Sequence, residues 1–210
     1  MCQGGLTMAN TKTKTLSKTL ICRILKENCN DFWKNIFIVG DFCYFTNGKQ
    51  MVRCDSSFLD LSGTDVDLIN IEDMSEKDKN TIMNMVKIFD NTLTEIGKVH
   101  ISANCYRINK SALKNAITNK RKEIKDMNFG MVGKTALVSV TFKKTVVNAK
   151  YLSELIQLNK EKSLNVYVDD NEPLNPIVVG DESDNIISIL CPLREGYKPG
   201  IIDTTTILEV

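Results

Sequence analysis

The stretch "NAKYLSELIQLNKEKSLNVYVDDNEPLNPIVVGDESDNIISILCPL", residues 148–193, decides how the rest of the chain is read. It opens with Asn148, an N-cap residue type whose side-chain oxygen can accept from a free backbone N–H of the first helical turn. Tyr151, Leu152, Leu155 and Ile156 then recur at the spacing of one helical face, which predicts a helix over 148–159 with those four inward. Three short apolar runs follow: "LNVYVDD" (164–170), "NPIVV" (175–179) and "NIISILCPL" (185–193). They are rich in β-branched residues and read as strands. All four prolines lie after residue 172, where they punctuate this meander and its tail.

The beginning of the chain has the same order. "TLSKTLICRILKEN" (15–28) places Leu16, Leu20, Ile21, Ile24 and Leu25 on one helical face, with Lys18, Arg23 and Lys26 elsewhere. "NIFIVGDFCYFTNGKQMVRCDS" (35–56) is divided into three short runs by Gly-Asp and by Thr-Asn-Gly-Lys. Asn47-Gly48 predicts a hairpin with a type I′ turn, in which both residues take positive φ. One helix-plus-meander unit thus spans 15–55 and another 148–193. "KTALVSVTF" (134–142) is a strand feeding the second helix, and "NTKTKT" (10–15) is the candidate feeder of the first. Two βαβββ units with joined sheets would lay both helices on one face. The expected class is α+β with internal pseudo-symmetry.

Residues 145–195 resemble the closing half of the bacterial DNA sliding clamp, the beta subunit of DNA polymerase III. In that family an Asn or Ser precedes an aromatic-Leu pair, then come an acid-containing strand, a Pro-containing strand and a terminal Met-Pro-Met-Arg. Here these are Asn148, Tyr151-Leu152, the 164–170 strand, Pro176 and Cys191-Pro192-Leu193-Arg194. "FTNGKQMV" (45–52) is similar to the clamp's Thr-Asp-Gly-His-Arg-Leu-Ala turn. The resemblance implies a DNA-clamp-like domain from 10–55 and 134–194, flanked by a leader over 1–9 and a C-terminal tail over 195–210. Residues 56–133 form a largely helical insert. It further implies a non-enzymatic accessory factor in DNA replication or repair. Such a factor would meet double-stranded DNA through its helices, and replication or repair proteins through a cleft by the final strand, lined by Pro176, Leu190, Pro192 and Leu193. Homo-oligomers follow from the same resemblance. The alternative is a protein–protein adaptor or inhibitor with a clamp-like fold that does not encircle DNA.

Within the insert, Ser75 and Asp78 form a capping-box variant ahead of Ile82, Met85, Val86 and Phe89 at helical spacing. "VHISANCYRI" (99–108) reads as a strand. Asn109 or Ser111 caps a further helix with Leu113, Ala116, Ile117 and Ile124 on its apolar side. Between 109 and 125 this helix carries Lys110, Lys114, Lys120, Arg121, Lys122 and Lys125 against one acid, a net +5. Charge runs are usually solvated faces. The functional reading is contact with a phosphate backbone without reading sequence, joined by Lys14, Lys18, Arg23 and Lys26 from the first helix.

"DMNFGMVGKTALVSV" (126–140) ends like a phosphate-binding loop at Gly133-Lys134-Thr135, but Asn128 stands where that motif needs its first glycine. A helix precedes it and a strand follows, the reverse of the order that points backbone N–H groups at a nucleotide, so it reads as a glycine turn.

Composition removes other classes. The chain is 210 residues long, 42% hydrophobic and 25% charged, with a formal net charge of +1, so no overall imbalance marks a nucleic-acid partner and any such surface is a local patch. No apolar run approaches the roughly 18 residues of a membrane span, and no signal-peptide core is evident. Seven cysteines form no Cys-x-x-Cys pair and sit mostly in apolar segments, as reduced, buried thiols of a cytoplasmic protein would. His100, the lone histidine, has no nucleophile motif beside it, and Cys or His clusters at ligand spacing are absent. The acid pairs Asp65/Asp67, Glu72/Asp73 and Asp169/Asp170 read as loop and strand-end solvation. No catalytic residue, metal or cofactor is expected. The start "MCQGGLTM" can be encoded with a ribosome-binding sequence before Met8, so residues 1–7 are expected to be translated leader. Abundant Lys, Asn and Ile suggest an AT-rich bacterial or phage genome.

Overall fold

A computed structural model describes residues 15–99, 105–127, 138–158, 162–180, 186–194 and 200–209. In chain order the elements are α1 (Lys18–Leu25), β1 (Ile36–Val39), β2 (Phe42–Thr46), β3 (Gln50–Asp55), β4 (Leu68–Asn70), α2 (Glu76–Val99) and β5 (Cys105–Asn109). There follow α3 (Lys110–Met127), β6 (Val138–Phe142), β7 (Thr145–Asn148), α4 (Ala149–Leu158), β8 (Ser163–Tyr167), β9 (Ile177–Gly180), β10 (Ile186–Leu190) and β11 (Gly200–Asp203). The result is a mixed helix-and-sheet fold.

Both meanders form, and they join. β1-β2-β3 and β8-β9-β10 meet through antiparallel pairing of β3 with β10, from Gln50 opposite Leu190 to Cys54 opposite Ile186. The joined sheet has eight strands in the order β4-β1-β2-β3-β10-β9-β8-β5. On one face α1 and α4 lie in contact. Leu20, Ile21, Ile24 and Leu25 of α1 share a core with Leu152, Leu155 and Ile156 of α4 and with Phe45, Val52, Val179 and Leu190 beneath. Each such side chain contributes about 1.5–3 kcal/mol by leaving water. Among the described residues a strand, β7, leads into α4 and none precedes α1; "NTKTKT" lies outside them but for Thr15, as do the leader over 1–9 and Lys14.

The described elements between 56 and 127 flank this sheet. β4 pairs parallel to β1 on one edge and β5 antiparallel to β8 on the other. α2 lays Ile82, Met85, Val86 and Phe89 on the opposite face, against Phe37, Tyr44, Val178, Ile187 and Ile189. The Tyr44 and Phe89 rings meet edge-on at 5.8 Å. The sheet is therefore covered on both sides. A second, three-stranded sheet runs β11-β6-β7, with the tail strand β11 parallel to β6.

Several expectations need correction. The hairpin at 46–50 has Gly48 and Lys49 as its central residues, and of these only Gly48 has positive φ, at 78°, which is the II′ pattern rather than I′. Asn47 instead uses its side chain, accepting from the N–H groups of Lys49 and Gln50. Of the strand expected over 99–108, the described part is β5 from Cys105, and Val99 belongs to α2 instead; residues 100–104 lie outside the described residues. α4 is fed by β7, not directly by the 134–142 strand: the chain turns back at Lys143, a non-glycine residue at φ 49°. His100 and the glycine turn at 130–135 lie outside the described residues; α3 and β6 flank the turn.

Candidate nucleic-acid interface and partner patch

α4 packs against α1 on one side and α3 on the other. On α1 the inward turn of Leu20, Ile21, Ile24 and Leu25 leaves Lys18, Arg23 and, at the C-cap, Lys26 exposed. Lys18 Nζ donates to the Ser62 carbonyl at 2.9 Å, so it also holds the loop after β3.

Asn109 caps α3, accepting from the Ala112 N–H at 3.0 Å. Leu113 and Ile117 are buried, which turns Lys114, Arg121, Lys122 and Lys125 to solvent. Lys110 and Lys120 are half-buried. Lys120 has a packing role: its ammonium reaches Glu123 at 2.6 Å while its stem crosses Gly200 of β11. Lys125 in the last turn also favours the helix dipole. Glu123 and Asp126 are exposed on the same helix.

Between these basic sets α4 presents Lys150 and Gln157 to solvent and half-buries Ser153. Its one carboxylate, Glu154, is turned into the core. The Lys150 ammonium pairs with Glu27, just past α1. Lys49 and Lys150 lie 5.4 and 5.3 Å from the centre of the Tyr151 ring, which is half-buried rather than fully inward as the helical spacing predicts. Nothing in the spacing of Lys49 signals this contact, because it comes from the β2–β3 turn.

The four residues assigned to a partner cleft are brought to one end of β9 and β10, since Ile177 pairs with Leu190 and so sets Pro176 opposite Cys191. Leu190 is 0% exposed and belongs to the core, so it lines no surface. Pro176, Pro192 and Leu193 are half-buried, and Leu174 and Cys191, not foreseen, are exposed beside them. Backbone bonds fix this segment: Cys191 N–H donates to Lys49 O at 2.9 Å and Leu193 N–H to Val146 O at 2.7 Å. Residues 191–193 thereby step from the large sheet to the small one.

The cysteines differ from the expectation of general burial. Cys43 and Cys54 are buried and face each other across β2 and β3, whereas Cys29, Cys105 and Cys191 are exposed. Burial pushes the Cys43 thiol up to about 11 and the Cys54 thiol up further. Among the described residues no group of three or more His, Cys, Asp or Glu could hold a metal ion, and no helix is long and apolar enough to cross a membrane.

No family model matches the chain, and no curated protein matches it. Among solved structures, the chain is similar to one assigned as a DNA polymerase III beta subunit, from Eubacterium rectale, at 14% sequence identity and a TM-score of 0.48. The likeness covers 84% of this chain and 63% of that one, so the chain spans less than two thirds of that protein's length.

Proposed function

We propose that the protein is a non-enzymatic accessory factor of DNA replication or repair, related to sliding clamps and acting in the cytoplasm of a bacterium or of a phage-infected cell. Its helical face lies against the backbone of double-stranded DNA. The observation that carries this reading is the exposure of Arg23 and Lys26 on one side of α4 and of Lys114, Arg121, Lys122 and Lys125 on the other, while α4 turns its one carboxylate inward. Ammonium and guanidinium groups so placed neutralise phosphates and release counterions, giving affinity without base readout. The meanders joined edge to edge, with α1 and α4 on one face, are the arrangement expected of two repeated helix-plus-meander units. On this reading residues 10–55 and 134–194 are the clamp-like unit, with 56–133 laid around it. Pro176, Pro192 and Leu193, with Leu174 and Cys191, form the patch for a replication or repair protein. Titration with duplexes of unrelated sequence at two salt concentrations tests the DNA contact.

A specific observation favours a second reading, an adaptor or inhibitor that never encircles DNA. Closing a ring by sheet pairing needs free strand edges. Here β4 occupies the outer edge of β1, and β5 that of β8. Residues 207–209 then pair with β5 in turn: the Asn109 N–H donates to Ile207 O and the Glu209 N–H to Arg107 O. Sedimentation separates the two readings, a monomer or dimer supporting the adaptor and a higher closed oligomer the ring.

A further inference from the structure

Gln50 opens β3 and Glu154 lies in the middle of α4, and they are 2% and 3% exposed. The Gln50 side-chain amide, Nε2, donates to Glu154 Oε2 at 3.0 Å. The two remaining oxygens, Gln50 Oε1 and Glu154 Oε1, are buried without a hydrogen-bond partner among the described residues. A carboxylate and an amide oxygen are both acceptors, so an ionised Glu154 leaves both atoms unsatisfied away from water, an arrangement folded proteins avoid. One proton removes both defects. Placed on Glu154 Oε1, it can be donated to Gln50 Oε1 and closes a two-bond acid–amide ring with the existing Nε2–H bond.

We propose that Glu154 is a neutral carboxylic acid in the folded protein, held in such a ring by Gln50, and that docking α4 on β3 takes up one proton. The surrounding charges permit it. Burial, the largest influence, holds the proton on and Glu27 adds to it, while the Gln50 N–H bond, Lys150 and Arg23 favour the carboxylate. The Lys150 ammonium is engaged by Glu27 Oε1, whose other oxygen accepts from Asn47 Nδ2 at 3.0 Å, so the near cation is already paired. The inference is independent of whether the helical face binds DNA.

Urea unfolding of the full chain and of Glu154→Gln, from about pH 5 to about pH 9, tests it. In the unfolded chain a glutamate ionises near about pH 4.3. While the folded protein keeps the proton, the wild-type folding constant relative to the variant should fall up to about tenfold per pH unit, because the folded state holds the extra proton. Glu154→Gln supplies an N–H donor in the same place and has no such dependence. A pH-independent difference between the two proteins would overturn the proposal. Carboxyl-carbon NMR of the unaltered chain at about pH 7 keeps the test open if the variant does not fold. One glutamate signal in the carboxylic-acid range is expected, and all glutamates at the carboxylate position would overturn it.

Discussion

Gly200 lies directly beneath Ile124: a Cβ added to Gly200 would come within 2.5 Å of Ile124 Cδ1 and 2.8 Å of Lys120 Cγ. The basic helix α3 therefore rests on the tail strand β11 through a gap that only glycine leaves. Its charged side chains are placed by that contact as much as by their own helix.

Gly200→Leu should accordingly lift α3 from the small sheet. Overpacking of this kind costs about 1–3 kcal/mol, read as a lower urea midpoint. Affinity for DNA should fall with it, since Arg121, Lys122 and Lys125 ride on the displaced helix. An unchanged midpoint would show that α3 is not seated on β11.

Leu190 and Leu193 are three residues apart and should respond in opposite ways. Leu190→Asp buries an unpaired carboxyl in the core; a cost above about 4 kcal/mol is a large share of the roughly 5–15 kcal/mol that stabilises a domain, so a strongly lowered urea midpoint or loss of the folded protein is expected. Leu193 is held by its backbone N–H to Val146 O, and its side chain is half-exposed, so Leu193→Asp should keep the wild-type circular dichroism spectrum. A Leu190→Asp protein with the wild-type urea midpoint would contradict the packing of β10.

The family resemblance alone puts Leu190 in a cleft; in the structure it packs on the side that α1 and α4 cover, and the spacing of β10 gives no sign of this. Alternation along a strand marks the core only when one face of the sheet is wet. β10 is buried at all five positions because α2 covers the side that α1 and α4 do not. The helices themselves were legible: the i, i+3, i+4 spacing of Ile82, Met85, Val86 and Phe89 places α2, and the same periodicity turns Arg23, Lys114 and Lys122 outward. Less was legible where pairing is long-range. β4 has three residues and pairs parallel to β1 across an intervening meander. β11 pairs parallel to β6 from the far end of the chain. Lys143 makes a hairpin without glycine or asparagine, and the inward turn of Glu154 breaks the rule that helix carboxylates face water.

Thiol chemistry should sort the cysteines by position. The thiolate is the reactive form, and burial holds the Cys43 thiol protonated up to about 11 and Cys54 beyond it. At about pH 8 an aromatic disulfide reagent should label Cys29 first in the native protein, Cys105 and Cys191 more slowly because burial also pushes their thiols up, and Cys43 and Cys54 only on unfolding, as peptide mass mapping would show. Rapid labelling of Cys43 in the native state would contradict the burial of the β2–β3 hairpin.

If the helical face meets phosphates, duplex binding should depend on salt. The slope of log K against log salt is about −0.9 for each phosphate neutralised. Changing Arg121, Lys122 and Lys125 together to Gln should flatten it by up to about three units, equally for unrelated duplexes. The fold should survive, because exposed helix charges contribute only tenths of a kcal/mol each. A fluorescence titration of wild type and triple variant across about 50–200 mM salt reads this out. Sequence-independent binding with a flatter slope in the variant is expected; no binding at the lowest salt, or the same slope in both proteins, would show that this face does not meet phosphates.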